Sequence, residues 1–269
     1  MLRTRILTVA VLLPSFLLLL FFSSFAVWSL SLLPVVAAAA FEWAKLGRWQ
    51  RNAAFVYAVA QAALCVLLLT FTDNGERFPE FFLIILALSA LFWVGLVFPW
   101  LRFKWQTRSV ALHGMLGIVM VVPLWISLVL LKGNPVLMLA AMAIVWIADS
   151  AAYFAGHQWG RRKLAPGISP GKTWEGVYGA LIAVGMYATA AAGAWPAGNW
   201  MHLVAVVFLS LFLAVLGILG DLFESLAKRQ AGVKDSGKLL PGHGGVLDRI
   251  DALLPSMPVA ALAYWFFIR

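Results

Sequence analysis

Long apolar runs, each closed by a short cluster of polar and basic residues, set the pattern of this chain. The first run, from Ile6 to Ala40, is too long for one membrane span of about 20 residues and divides best near Ser23 and Ser24. Further spans are predicted at about 53–71, 81–98, 110–131, 135–155, 176–194, 202–220 and 250–268, which makes nine. None of these runs alternates polar with apolar positions, so helices are expected rather than the strands of an outer-membrane barrel. The basic start, the apolar run and the alanines at 37–40 imitate a cleaved signal peptide. The run is far longer than the roughly 7–15 apolar residues such a peptide carries.

Composition agrees with this pattern. The chain is 63% hydrophobic and 12% charged, with a mean hydropathy of +0.93, against about 25% charged residues in ordinary soluble domains. The fold class is therefore all-α and polytopic. Cys65 is the single cysteine, so no intrachain disulfide holds the helices together. The net charge of +9 follows the predicted loops. With the N-terminus in the cytoplasm, 17 of the 20 Lys and Arg residues fall on the cytoplasmic side, leaving Arg77, Lys132 and Arg269 outside. The positive-inside rule thus predicts nine spans with the N-terminus in and the C-terminus out. The same charge would draw anionic headgroups to that face, but it is too dispersed among loops to indicate nucleic acid.

Two predicted cytoplasmic loops, 156–175 and 221–250, are long and combine glycine, proline, acids and bases, which marks them as functional rather than connective. They divide the chain into an N-terminal scaffold, 1–134, and a catalytic region, 135–269. On the approach to the first loop, Asp149 lies inside a span, on the helical face of Tyr153. It is either a site residue or a structural acid bonded between helices. Next, ISPGKTWE offers Ser169, Lys172 and Thr173 ahead of a new helix, a combination suited to phosphate oxygens. The spacing is not that of a P-loop, and Thr173 also suits a plain helix N-cap.

The second loop is denser. Asp221, Glu224, Asp235, Asp248 and Asp251 stand with Lys228, Arg229, Lys234, Lys238 and Arg249 in a chain otherwise poor in charge. Ionisable groups abutting apolar spans are candidate functional sites. If the preceding helix continues past Gly220, Asp221, Glu224, Ser225 and Lys228 share one face. A solvated amphipathic extension would give that pattern too. Further on, PGHGG places His243 among glycines that let backbone approach a ligand, and Asp248 and Asp251 follow one turn apart. Carboxylates at the mouth of a membrane cavity suit Mg²⁺, which takes one or two of them with substrate phosphates. Zinc does not fit, since no second His or Cys stands at ligand spacing.

The run Ser225-x-x-Lys228-Arg229-x4-Lys234-Asp235, followed by Pro241-x-His243-Gly244-Gly245-x-x-Asp248-Arg249-x-Asp251, resembles the signature of CDP-diacylglycerol synthases, also called phosphatidate cytidylyltransferases. The upstream ISPGKTWEG and the Asp149-x3-Tyr153-x2-Gly156-x3-Gly160 segment are similar to the same family's pattern. The likeness covers about the C-terminal half. It implies transfer of the cytidylyl group of CTP to phosphatidate, giving CDP-diacylglycerol and pyrophosphate, with Mg²⁺ as cofactor and a second cation left open. On that resemblance Asp221 and Asp248 are the expected metal ligands. Lys228, Arg229, Lys234, Asp235, His243, Arg249 and Asp251 are expected in catalysis. Ser169, Lys172, Thr173, Ser225, Gly244, Gly245 and Asp149 are expected to bind substrate. The expected setting is a bacterial plasma membrane with the site on its cytoplasmic side, and a homodimer is an open option. Two alternatives stand: a CTP-dependent transferase acting on an isoprenoid lipid phosphate, and, remotely, a cation-coupled transporter. The latter would need charge in several middle spans, where only Asp149 was expected to be buried.

Overall fold

In the computed structural model, residues 2–75, 78–193, 199–239, 242 and 244–268 are described. They form helices joined by short connections, with one small hairpin. The helices are α1 (Leu2–Phe22), α2 (Phe25–Ser31), α3 (Leu33–Leu46), α4 (Arg51–Leu69), α5 (Phe81–Leu91), α6 (Val97–Phe103), α7 (Val110–Leu131) and α8 (Pro135–Trp159). After the strands β1 (Lys163–Ala165) and β2 (Ser169–Thr173) come α9 (Trp174–Gly193), α10 (Trp200–Ala231), α11 (Leu247–Ile250) and α12 (Leu253–Phe267). A π-helical turn, Phe92–Leu96, joins α5 to α6. By length and composition, seven continuous helical stretches among the described residues are long and apolar enough to cross a membrane, and two shorter apolar helices lie at Leu13–Phe22 and Leu253–Phe267. The chain is an all-α polytopic membrane protein.

The core forms around α7, which is buried along most of its length and packs against α3, α4, α5 and α12. In such a core a polar atom needs a partner inside the protein. The tryptophans of α2 and α7 supply one another's. The indole N–H of Trp28 donates to the Leu128 carbonyl at 3.0 Å, and that of Trp125 donates to the Ser29 carbonyl at 3.0 Å. One layer further along, the Trp43 indole donates to the His113 carbonyl at 2.8 Å and the two rings stack. These pairs fix α2 and α3 against α7 in one register.

Two departures from the predicted pattern shape the site. The last long helix does not end at Gly220. With 32 residues, α10 is about 48 Å long, against a hydrocarbon core of about 30 Å, so its C-terminal turns project beyond the membrane. Gly232 stops it, with φ +79° and Val233 N–H reaching back to the Lys228 carbonyl at 3.0 Å, a Schellman-type end that favours glycine. Much of the predicted second loop is therefore helix. Likewise the first loop is not irregular: α8 runs on to Trp159, and β1 and β2 form an antiparallel hairpin that delivers the chain to α9. Glu175 ties the hairpin's base, its carboxylate accepting from the backbone N–H groups of Arg161 and Arg162 and from Arg162 Nε at 3.2 Å.

Candidate active site

The projecting end of α10 carries the site. At four-residue spacing Asp221, Ser225 and Glu224, Lys228 face the same way, and each finds a partner on that face. Lys228 Nζ lies 2.6 Å from Glu224 Oε2 and 2.6 Å from Asp248 Oδ1. The other Asp248 oxygen accepts the Ser236 N–H at 3.0 Å and the Gly245 N–H at 2.8 Å. Burial pushes the Asp248 carboxyl up, but the bonds from Lys228 and Gly245, with the lysine's charge, outweigh burial and hold it below the usual carboxylate range. Glu224 is buried, and its second oxygen has no hydrogen-bond partner among the described residues.

About two helical turns before Lys228, a second pair forms. Lys172, from β2, reaches Asp221 Oδ2 at 2.6 Å, while Ser225 Oγ donates to Asp221 Oδ1 at 3.2 Å. Asp251 stands beside them because Gly220 allows it: a side chain at that position would overlap the Asp251 carbonyl and the Pro255 ring. In the turn before α12, Asp251 is half-buried. Burial first, then the charges of Asp221 and Asp149, raise its carboxyl to about 7. Asp149, on α8, thus stands near this group of carboxylates, and its residue surface is exposed. Among the described residues, no group of three or more His, Cys, Asp or Glu forms a preassembled metal cage.

The remaining predicted residues divide by exposure. Arg229, Lys234, Asp235 and Arg249 are exposed. The Arg229 Nε donates to the Ile168 carbonyl at 3.3 Å, joining the end of α10 to the hairpin turn. None of these three bases holds an ion pair among the described residues. Ser169 is half-buried in β2. Thr173 is buried, and its hydroxyl accepts the Gly176 N–H at 3.2 Å, so it caps the first turn of α9. Gly244 and Gly245 lie beside Asp248. His243 and Pro241 fall outside the described residues.

One residue at the centre was not predicted. Glu42, in α3, is 2% exposed and reaches across from the N-terminal half. Its Oε2 accepts from Leu247 N–H at 2.8 Å and from Ser236 Oγ at 3.1 Å, and its Oε1 accepts from Val246 N–H at 3.1 Å. A Cβ at Gly237 or Gly245 would collide with this carboxylate, which accounts for glycine at both. The loop that carries Asp248 is therefore wrapped around an acid from α3. A signal was available: Glu42 is the only charge between Ile6 and Ala44, and a lone acid in an apolar span is a candidate by the reasoning applied to Asp149.

Comparison with known proteins covers the same ground. Residues 3–267 match the model of the cytidylyltransferase family. The phosphatidate cytidylyltransferase of Pseudomonas aeruginosa is 40% identical over 98% of this chain and 97% of its own length. That of Haemophilus influenzae is 32% identical over the full length of both. The Bacillus subtilis protein of the same name is 47% identical, over 44% of this chain and 43% of its own. With a match spanning nearly every residue from α1 to α12, the chain belongs to the cytidylyltransferase family.

Proposed function

We propose that this protein transfers the cytidylyl group of CTP to phosphatidate, releasing pyrophosphate and leaving CDP-diacylglycerol in the membrane. The observation that carries this reading is the gathering of signature acids and bases from β2, α10 and α11 at one end of a helix that outruns the bilayer. A lipid phosphate and a soluble nucleotide can meet only at such a boundary.

The reaction needs no enzyme nucleophile. A phosphate oxygen of phosphatidate attacks the α-phosphorus of CTP, and the bond to the departing pyrophosphate breaks in line. The protein's work is to hold two anions together and to neutralise charge as it shifts, chiefly by positioning and electrostatics. Arg229, Lys234 and Arg249, exposed and free of ion pairs among the described residues, suit the triphosphate and phosphatidate oxygens. Lys172 and Ser169 approach from the hairpin, and Gly244 and Gly245 bring backbone near the same place.

The residues present fit Mg²⁺. Asp221 and Asp248 each already hold a lysine ammonium at 2.6 Å, the behaviour of carboxylates placed to receive positive charge. Mg²⁺ takes one or two carboxylates and completes its shell with water and substrate phosphates, so a full protein cage is not required. Asp221 and Asp248 would hold it, with Asp251 as a further acid near Asp221. When bound, the ion supplies charge stabilisation at the reacting phosphates.

Counting α1 and α12 with the seven long helices gives nine passages, and on that count the distribution of Lys and Arg supports a cytoplasmic N-terminus and site. Bacterial relatives point to the plasma membrane. Radiolabelled CTP tests the reading. With purified protein and Mg²⁺, α-phosphate label enters the organic phase when phosphatidate is supplied and not when an isoprenoid phosphate replaces it. The reverse preference would overturn the choice of lipid, and no transfer to either would overturn the activity.

A further inference from the structure

A second cavity, of about 340 Å³, opens beside α10 on the face turned away from Lys228. Phe223, Leu226, Ala227 and Gln230 supply that wall, set about half a turn round the helix from Asp221, Glu224 and Lys228. Its floor is apolar and aromatic, with Trp43 and Trp100 facing Phe223. Its mouth holds Arg48 and Arg108, and no acidic residue lines it. Neither arginine has an ion pair among the described residues.

The arginines are placed rather than loose. Arg48 closes the end of α3 with φ +60°, a conformation uncommon outside glycine, and its Nη2 donates to the Gln230 carbonyl at 3.3 Å. Arg108 directly precedes Ser109, the N-cap of α7, so it adds its charge to the positive end of that helix. His113 Nε2 donates to the Trp43 carbonyl at 2.8 Å and its Nδ1 lies 3.1 Å from Thr107 Oγ1, contacts that a neutral ring satisfies.

The surroundings distinguish lipid from soluble anions. Phe103 and Trp105 stack on one another at 6.0 Å and are 66% and 44% exposed, beside Arg102 and Lys104. Exposed aromatics interleaved with bases belong at the level of headgroups. Basic pockets between membrane helices seat acidic headgroups, and the volume suits a phosphoglycerol moiety. We propose that this cavity binds the phosphate headgroup of an anionic glycerophospholipid, separate from the reacting phosphatidate. The lipid braces α10 from behind while the reaction proceeds on the opposite face.

The test uses the full chain in detergent, titrated with short-chain phosphatidylglycerol, which is not the substrate, and followed by tryptophan fluorescence. Saturable binding is expected, with phosphatidylcholine and glycerol phosphate giving none at the same concentrations. In the double variant Arg48→Gln, Arg108→Gln the affinity falls roughly 25-fold, about fivefold for each charge. Because both side chains are exposed, the variant folds and retains turnover of CTP and phosphatidate in pure detergent. Arg108→Glu alone provides a second variant, with a loss larger than that of Arg108→Gln. Unchanged phosphatidylglycerol affinity in both variants would overturn the proposal. So would equal binding of phosphatidylcholine, competition by glycerol phosphate as strong as by the lipid, or loss of turnover in step with binding, which would make the cavity the substrate's own seat.

Discussion

Two lysine–carboxylate pairs are anchored about two helical turns apart on α10, and they differ in how firmly each is built in. Lys228 and Asp248 are nearly sealed, with side chains 13% and 6% exposed, and four polar contacts tie the Glu224, Lys228 and Asp248 knot together. Lys172 and Asp221 are more open, at 25% and 31%, and one partner comes from a two-stranded hairpin. The closed pair holds the signature loop to α10 with both Asp248 oxygens engaged, so a cation there would share or displace Lys228. The open pair can exchange its lysine for another cation or release that lysine to a phosphate. Architecture and chemistry are thus shared unequally between residues that look alike along the chain.

The sharpest break is Asp248→Asn. It removes charge from the cation site and half of what holds Lys228, so turnover should fall roughly a thousandfold, measured by label transfer. Because Lys228 keeps Glu224, the loss of stability is expected near 2–3 kcal/mol, below that of a fully orphaned buried lysine. Unchanged denaturation would place Asp248 in the open class. Glu42→Ala comes next. It leaves the Val246 and Leu247 N–H groups and the Ser236 hydroxyl without their acceptor, at a cost of roughly 3 kcal/mol, with turnover falling alongside stability in thermal and activity assays. Glu42→Gln, which keeps one acceptor oxygen, should fall between. Equal behaviour of the two variants would deny Glu42 its hold on the loop.

Lys172→Met should do the opposite. Its pair is partly exposed, so stability changes by no more than about 1 kcal/mol, while kcat/KM for CTP drops about a hundredfold. A large change in melting temperature would remove the distinction between the pairs. The smallest effect belongs to Thr173→Val, which deletes the cap of α9 and should cost about 1 kcal/mol without moving the KM for CTP. A raised KM would make the hydroxyl a substrate contact after all.

Much of this was legible in the chain because the signals are local. Apolar run length located the helices, and charge density located the end of α10 and the turn to Asp251. The continuation of α10 past Gly220 could be read only as a condition, since a helical face and a loop both accommodate Asp221, Glu224 and Lys228; Gly232, an available stop, settles the helix end. Glu42 was missed for a different reason. Its role comes from a contact between residues 42 and 236–247, and nothing in the alanine-rich stretch around it reports a partner some 200 positions away. The same contact joins the N-terminal helices to the signature loop, so the division into scaffold and catalytic halves does not describe how the site is supported. Thr173 carried two readings from the start, and burial with a capping bond gives the plain one its physical basis.

The claim that Asp221 and Asp248 hold a catalytic cation is tested most directly by binding rather than by rate. Mn²⁺, used in place of Mg²⁺, is titrated into the purified protein and the Asp221→Asn and Asp248→Asn variants with CTP present, and bound ion is counted by electron paramagnetic resonance. The account predicts saturable binding to the native chain, weakened at least tenfold in either variant while thermal unfolding still reports a folded protein. Equal Mn²⁺ binding by all three proteins would contradict it and place the cation elsewhere.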